Sequence, residues 1–492
     1  MAHIPRLGEY LDPLRIDLDR IVELSDRFLE TFGKLAAESK EQFLPTPISD
    51  SLLRPVSKTG RGKNLAIDIG GTNLRVGFIE LLSGQTKRHL EQSWPIDERL
   101  KNDNADGLFR WIGERIAVVV GQGCEQLGVP RDEPLPMGVT FSFPMEQHSL
   151  SQATLMSMGK GFAVTSDLDL GSRLLAGYEA GRAADCPPLK IAAIANDSVS
   201  TLVSFIYKYN ETQDRRASMA FILGTGCNAT VPLRLSRLHP SKWPQSVTVL
   251  PDEGVHDEVK ITLNTEWSIN GSAPPLRELG WVNRWDEILD SQLETPGFQP
   301  MEYMTAGRYL GELGRLMIVD YLKNVAGVEE GMLPRAIQSR HGMTTTFLSH
   351  FKPLDRSALL TKLNDEFPCG DGFSWTEDMA EALQHIAKAI QVRAAGIVAA
   401  AVIALLTLAE EIPVDGSIGA KAKEIGVGYT GGCIVHFQDY LQDCQDFLDK
   451  LVERRYGAKP PLRVLLGPCH DGGMVGAGIL VSAASESRDA AT

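Results

Sequence analysis

The stretch Asp68-Ile69-Gly70-Gly71-Thr72-Asn73-Leu74-Arg75 decides how this chain is read. Before it lies Asn64 to Ile69, polar only at Asn64 and Asp68; after it, Val76 to Leu82 is again mostly apolar, so the glycines fall where a hairpin reverses. Glycine at such a turn admits backbone angles that other residues avoid. It also removes the Cβ atoms that would keep a phosphate away from backbone N–H groups. Asp68, at the end of the first strand, is suited to orient the water shell of a Mg²⁺ ion, which keeps several waters and takes few carboxylates. Taken alone, the segment is equally well read as an ordinary Gly-Gly hairpin.

A second turn of the same kind shifts the balance. Ser218 to Leu223 is another apolar strand candidate, followed by Gly224-Thr225-Gly226-Cys227-Asn228-Ala229 and then Thr230 and Val231. Two strand-turn-strand phosphate loops far apart in one chain suggest two related lobes facing one nucleotide.

With these segments in view the chain resembles a eukaryotic hexokinase of the fungal type, within the actin-like ATPase superfamily, almost from end to end. The two glycine turns resemble that family's first and second phosphate motifs. Between them, Thr140-Phe141-Ser142-Phe143-Pro144 resembles its sugar-contacting segment, and Lys160-Gly161-Phe162 the end of its sugar-loop signature. Asn196-Asp197-Ser198-Val199 is similar to the segment carrying the family's catalytic aspartate. Asn264-Thr265-Glu266-Trp267 and Pro296-Gly297 through Glu302 are similar to those supplying its sugar-binding glutamates. The resemblance implies an α/β fold of two lobes, actin-like (ribonuclease H-like), with a hinged cleft, ATP and Mg²⁺ as cofactors, and phosphorylation of a hexose 6-hydroxyl. It implies Asp197 and Lys160 as catalytic residues. Ser142, Phe143, Pro144, Gly159, Lys160, Asn196, Asp197, Asn228, Glu266 and Glu302 would meet the sugar. The nucleotide side would be Asp68 (also the metal residue, through water), Gly70, Gly71, Thr72, Asn73, Arg75, Gly224, Thr225, Gly431, Gly432, Gly472 and Gly473.

The residue types suit that chemistry. Phosphorylating a sugar hydroxyl requires an in-line oxygen, neutralised charge on the transferring group and a base for the proton. Asp197 follows the apolar run Ile191 to Ala195, which puts it at a strand end over a cleft. A carboxylate with an ordinary pKa of about 4 is too weak to ionise an alcohol beforehand, so it orients the hydroxyl and takes the proton late. The competing structural role for Asp197 is a helix N-cap. A hexose presents hydroxyls that each donate and accept, and Glu266, Glu302, Asn196, Asn228 and Ser142 supply the matching mixture. Lys160 would bring positive charge to the accepting oxygen.

The chain departs from the family's pattern in two places. Met158-Gly159-Lys160-Gly161-Phe162 stands where the family usually has Trp-Thr-Lys-Gly-Phe, so a sugar-contacting threonine is missing. Losing one neutral hydrogen bond costs on the order of 1 kcal/mol. The space gained is compatible with a bulkier hexose such as N-acetylglucosamine. On the adenine side, Gly428-Tyr429-Thr430-Gly431-Gly432 replaces the usual Asp-Gly-Ser turn, and Asp415-Gly416-Ser417 lies earlier in a different context. Asp471-Gly472-Gly473, followed by Gly476-Ala477-Gly478, reads as a close backbone approach to the nucleotide. These losses leave room for a second reading, a hexokinase-like regulator that binds sugar with little turnover. A third is a chaperone-like ATPase, which has no need of paired sugar-facing glutamates.

A chain of 492 residues, 43% hydrophobic and 23% charged, suits two lobes with substantial cores. Its net charge of −14 argues against a nucleic-acid partner, though not against ATP held by backbone N–H groups and a cation. Seven scattered cysteines without a Cys-x-x-Cys pair indicate neither a disulfide framework nor a zinc site, and point to a reducing, cytoplasmic compartment. None of the ten histidines shows metal-ligand spacing, and His470 reads as a loop residue. Met1 to Arg20 alternates charged with apolar residues, unlike a signal peptide, and the Ala-rich run Ala394 to Ala409 is short for a membrane span and reads as a core helix. The hexose or N-acetylhexosamine is the expected partner; monomer and homodimer both stay open.

Ile16 to Ala37 reads as an amphipathic helix with Ile21, Leu24, Phe28 and Phe32 on one face. Residues 1–204 are expected to form the small lobe, 205–484 the large one, and 485–492 a frayed tail, a cut made approximate by terminal segments that the resemblance implies cross between lobes. Helices are expected over Glu302 to Leu322 and Glu377 to Glu411. Leu238 to Glu258, rich in Pro, Ser and acidic residues, is expected to be an irregular insertion.

Overall fold

The computed structural model describes residues 4–59, 61–156, 168–209, 211–351, 355–370, 372–414 and 422–492. In chain order the strands are β1 (Leu44–Ser49), β2 (Arg61–Ile69), β3 (Asn73–Leu82), β4 (Thr86–Pro95), β5 (Leu135–Phe141), β6 (Met145–Ser149), β7 (Gln152–Leu155), β8 (Leu189–Ala195), β9 (Arg215–Leu223), β10 (Cys227–Arg234), β11 (Ser246–Val249), β12 (Lys260–Asn264), β13 (Glu424–Thr430), β14 (Arg463–Pro468) and β15 (Arg488–Ala491). Among the described residues they form a five-stranded sheet in the order β4-β3-β2-β5-β8, an eight-stranded sheet in the order β14-β13-β9-β10-β12-β1-β11-β15, and the hairpin β6-β7.

The two large sheets contain the same unit. In the first, β2-β3 and β3-β4 are antiparallel, while β2-β5 and β5-β8 are parallel. In the second, β9-β10 and β10-β12 are antiparallel, while β9-β13 and β13-β14 are parallel. Strand order and sense therefore repeat, and each opening hairpin carries one of the glycine turns. Two such α/β lobes make up the fold expected from sequence.

Period-two alternation sets the two faces of the small sheet. Leu65, Ile67 and Ile69 bury with Ile112, Ile116 and Leu174 of the helices Ala105–Gln126 and Leu170–Gly181. Ala66, Ile79 and Ala193 face the helix Gly472–Ser485 through Ala477 and Leu480. Behind that helix the helix Asp197–Lys208 packs onto β9 of the large sheet, so these two helices form the layer between the lobes.

The core of the large lobe is the helix Glu377–Leu408, buried along nearly all of its second half. It is the described helix long and apolar enough to cross a membrane, and 89% of its apolar stretch is covered by the rest of the fold. Small residues let neighbours come close: a Cβ at Gly396 would lie 2.5 Å from Ile16 Cδ1. One charged pair interrupts it. Arg393, 1% exposed, gives a bidentate hydrogen bond to Asp286 at 2.6 and 2.8 Å. The helix expected from Glu302 is two helices, Pro300–Thr305 and Gly307–Asn324, because Ala306 turns extended (ψ 154°) and frees the Gly307 N–H to bond Gly224 O at 2.7 Å.

Two expected boundaries need correction. Residues 1–204 do not form one lobe: the helix Leu18–Glu38 buries Leu24, Phe28 and Phe32 in the large-lobe core, and β1 pairs antiparallel with β12. The amphipathic face was legible, but which core it joins depends on the distant helix Glu377–Leu408. Nor is 485–492 frayed. Arg488–Ala491 is β15, antiparallel to β11, with Thr248 Oγ1 donating to Asp489 Oδ1 at 2.6 Å and Arg488 Nη2 to Glu253 O at 2.8 Å. The tail satisfies N–H and C=O groups of what would otherwise be an edge strand. The insertion 238–258 supplies that strand, so it is only partly irregular.

Truncating Asp286→Ala leaves Arg393 buried without its counter-ion. A loss of about 3–5 kcal/mol is expected, read as a lowered urea midpoint against wild type.

Candidate active site

The first turn opens the cleft. Asp68 and Arg75 are direct partners across β2-β3, with Arg75 Nη1 3.8 Å from Asp68 Oδ2, and the Gly70 N–H closes the turn on Asn73 O at 3.0 Å. Gly71 completes the turn. Asp68, Gly70, Thr72, Asn73 and Arg75 line a cavity of about 430 Å³ together with Ser142, Asp197, Gly431, Gly432, Gly472 and Gly473. From the large lobe Gly431 reaches this wall with φ 120°, and a Cβ there would lie 2.3 Å from Leu223 O. Gly224 and Thr225 are fixed from behind, their carbonyls accepting from Gly307 N and Arg308 N at 2.7 and 3.1 Å.

Asp197 stands at the first position of its helix, not at the cap. The cap is Asn196, 3% exposed, whose Oδ1 accepts from Ser198 N at 2.9 Å and Ser198 Oγ at 2.8 Å. With the capping role filled by its neighbour, the Asp197 side chain is left to the cavity. Ser198 Oγ also lies 2.6 Å from Thr230 Oγ1 and 3.3 Å from Asn264 Oδ1, which ties the helix end to the large sheet.

Beyond Asp197 lies a polar constellation. Asn228 Nδ2 donates to Asn264 Oδ1 at 2.8 Å and to Glu266 Oε1 at 3.2 Å, and Asn264 Nδ2 donates to Glu266 Oε1 at 2.8 Å. Glu266 has φ 44°, a left-handed conformation that costs an L-residue on the order of 1 kcal/mol or more. Glu302 Oε2 accepts from the Cys227 N–H at 2.9 Å, and Gly226 leaves room for it, since a Cβ there would fall 2.6 Å from the same oxygen. Burial, and then the nearby Glu302 carboxylate, hold the Tyr309 hydroxyl pKa above the usual tyrosine range. The second glycine turn and the second glutamate are thus one rigid piece.

The rest of the first turn, Ser142, Asp197, Gly431, Gly432, Gly472 and Gly473 converge on the cavity, whereas Gly71, Asn196, Gly224, Thr225, Asn228, Glu266 and Glu302 are not part of its lining. Phe143 is 1% exposed and packs on Phe141 with ring centroids 4.9 Å apart, so its side chain belongs to the small-lobe core and supports Ser142 from behind. Pro144 contributes its carbonyl to Met156 N at 3.2 Å. Gly159, Lys160 and Asp415-Gly416-Ser417 lie outside the described residues. Gly476 and Gly478 approach protein, not the cavity: Cβ atoms there would come within 2.2 Å of Ser200 O and 2.6 Å of Ile79 Cβ. His470 is more than a loop residue, since it lines the cavity with His436, Thr201 and Asp471. Asn264 was missed although it stood inside a quoted motif. Its role depends on strand register, which places it opposite Thr230.

Negative charge crowds the side of the cavity around Asp68. Burial, followed by the nearby carboxylates of Asp197, Glu91 and Asp471, pushes the Asp68 pKa up to about 7, with Arg75 acting in the opposite direction. Arg75 Nη1 is also 4.0 Å from Asp471 Oδ1, and Arg88 Nη1 is 3.3 Å from Asp471 Oδ2. Among the described residues there is no cage of three or more metal-ligating side chains. Hard carboxylate oxygens beside an open cavity nevertheless suit a Mg²⁺ ion that keeps its waters. Because Asp68 holds its proton in the folded state up to about pH 7 but releases it near 3.8 when unfolded, this group lowers stability as pH rises through that window. Asp68→Asn should therefore melt higher than wild type at pH 8, with the gap narrowing toward pH 4, as followed by differential scanning fluorimetry.

Comparison with known proteins agrees with this geometry. Two family models, both described as hexokinase, match residues 6–207 and 218–483. Hexokinase-1 of Oryza sativa subsp. japonica is 28% identical over 437 residues, covering 86% of this chain and 80% of its own. Hexokinase-2 of Schizosaccharomyces pombe is 27% identical over 478 residues, covering 95% and 93%. A solved structure, the hexokinase from Schistosoma mansoni complexed with glucose, superimposes with a TM-score of 0.76 at 24% identity, over 97% of this chain and 98% of that one. Both halves are matched, in order, and each match contains one of the two glycine turns: the chain belongs to the hexokinase family.

Proposed function

We propose that this chain transfers the γ-phosphoryl group of ATP to the 6-hydroxyl of a hexose, with N-acetylglucosamine favoured over glucose. The observation that carries the reading is that Asp197 lines one cavity with the turns around Asp68 and Gly431, while the next residue, Ser198, reaches Asn264 of the Asn228, Asn264 and Glu266 constellation at 3.3 Å. A hydroxyl group held by that constellation would meet Asp197 on its way to the phosphoryl group. The relatives named hexokinase support the sugar and the nucleotide.

In this reading Glu266 and Glu302 accept hydrogen bonds from sugar hydroxyls, while Asn228 and Asn264 fix the Glu266 carboxylate. Asp197 orients the accepting hydroxyl and receives its proton as the new O–P bond forms and the bond to the leaving diphosphate breaks. The Gly70 N–H is taken up by Asn73 O, so the turn would offer its N–H groups to the phosphates at Gly71 and Thr72, with Arg75 balancing charge there. Asp68 would hold a hydrated Mg²⁺, which when bound supplies positive charge to the phosphate oxygens. Closure of the lobes would exclude water that could otherwise attack the nucleotide.

The preference for the acetamido sugar rests on sequence, namely Gly159 where typical members carry threonine. The cytoplasm is the proposed compartment, in keeping with seven free cysteines. The altered turn Thr430-Gly431-Gly432 favours a second reading, a sugar-binding regulator with little turnover.

Steady-state kinetics with ATP and Mg²⁺ against glucose, fructose, mannose, glucosamine and N-acetylglucosamine separates these readings. We expect turnover, with the highest kcat/KM for N-acetylglucosamine. Far more efficient use of glucose would remove the acetamido preference, and binding without turnover would favour the regulator. Asp197→Ala should keep sugar binding, followed by tryptophan fluorescence, and lose about 10²- to 10⁴-fold in kcat; an unchanged kcat would refute its role.

A further inference from the structure

Glu266 is held by its backbone as well as by its carboxylate, and the backbone hold comes from a distant segment. Gln42, 2% exposed, donates from Nε2 to the Glu266 carbonyl at 2.9 Å and to Ser272 Oγ at 3.2 Å. The adjacent Phe43 N–H donates to Thr265 O at 3.1 Å. Space for the amide is reserved: a Cβ at Gly271 would lie 1.9 Å from Gln42 Oε1. Gln42 is itself anchored at both ends. Its N–H donates to Ser39 Oγ at 3.1 Å, and its carbonyl accepts from Lys242 Nζ at 3.1 Å. The same Lys242 ammonium caps Leu35 O and Ala36 O at 3.3 and 2.9 Å, at the C-terminal end of the helix Leu18–Glu38.

We propose that Gln42 is a positioning residue of the sugar site, clamping Glu266 in its left-handed conformation so that the carboxylate stands against Asn228 and Asn264. The proposal rests on Glu266 being a sugar ligand. At φ 44° the residue has no intrinsic reason to stay, and relaxation toward an ordinary conformation would swing the carboxylate away from both asparagines. An amide suits the task because it donates to a backbone carbonyl without adding charge beside a carboxylate. Ile269 N also donates to the Glu266 carbonyl, at 3.2 Å, but it moves with the same segment and cannot anchor it to the rest of the lobe. Gln42 can, since Lys242 and Ser39 tie it to a long helix.

The test compares the full-length protein with Gln42→Met, which keeps length and volume and removes the donor. Glucose and N-acetylglucosamine are titrated against tryptophan fluorescence, which Trp267 beside Glu266 should report, and steady-state kinetics are run with each substrate varied. We expect sugar Kd and KM to rise about tenfold, as for a lost hydrogen bond to a buried carbonyl, with KM for ATP within about twofold of wild type. A merely structural role would lower the melting temperature and active fraction without this split between substrates. If Gln42→Met does not fold, Gln42→Asn, one methylene short of the carbonyl, carries the same expectation. Sugar affinity in the folded variant equal to wild type would overturn the clamp alone. Absence of any sugar response in wild type would overturn the sugar-site reading and the clamp with it.

Discussion

Everything at the cleft depends on how closely the helix Gly472–Ser485 is seated. Cβ atoms at Gly472, Gly476 and Gly478 would come within 2.7 Å of Thr201 Cα, 2.2 Å of Ser200 O and 2.6 Å of Ile79 Cβ; on the sheet side, one at Gly138 would fall 2.1 Å from Ala477 O. Backbone therefore packs on backbone. Polar groups then lock the seat: Thr140 Oγ1 reaches Gly473 O at 2.8 Å and Ser200 Oγ at 2.6 Å, and Asn64 Nδ2 reaches Gly478 O at 2.8 Å. The helix touches both the strand that ends in Asp68 and the helix that starts with Asp197, so its seat fixes the separation of the two carboxylates. Any methyl group inserted there would move them apart.

That close seat has an electrostatic consequence. Gly473 lets the Asp68 carboxylate tuck against the helix start, where a Cβ would be 2.7 Å from Oδ2, and burial raises its pKa. Asp471 stands beside it with φ 61°. Glu266, across the cleft, is also left-handed. Strained backbone under charged side chains persists only where surroundings over-determine it, and here the constraints are identifiable: Arg75 and Arg88 at Asp471, Gln42 and two asparagines at Glu266. A hydrated cation and a nucleotide would meet a site whose carboxylates are already placed, so less reorganisation is left for binding.

What could be read from sequence was local. Gly70-Gly71 and Gly224-Thr225-Gly226 announced turns because a hairpin at a strand end needs little context. Asp197 was recoverable because an apolar strand runs directly into it. Phe143 was misassigned because neighbours in an extended segment point to opposite sides, and motif order does not say which side faces the cleft. Gln42 was invisible in its role, since it acts on a residue 224 positions away, and Asn264 joins its neighbour Glu266 to Asn228 only through strand pairing. The tail strand escaped for a similar reason: Arg488-Asp489-Ala490-Ala491 carries no strand signal, and β15 exists because β11 offers an open edge. Which lobe the helix Leu18–Glu38 joins is likewise decided by the surface of another helix.

The adenine-side turn shows how a local departure can leave the architecture intact. Of Thr430-Gly431-Gly432, only Gly431 is dictated by geometry, with φ 120° and no room for a Cβ against Leu223. A Cβ at Gly432 would meet nothing nearer than His436 Cδ2 at 3.9 Å. The glycine shared with the usual Asp-Gly-Ser turn is thus the one the backbone requires, and the two exchanged residues flank it where substitution is tolerated. Backbone recognition of phosphate does not need the lost side chains, whereas discrimination among nucleotide bases does. The exchange should therefore act on nucleotide choice before it acts on phosphoryl transfer, because the groups proposed to face the transferred phosphate, Asp68, Asp197 and the first turn, lie on the opposite lobe and its connecting helix.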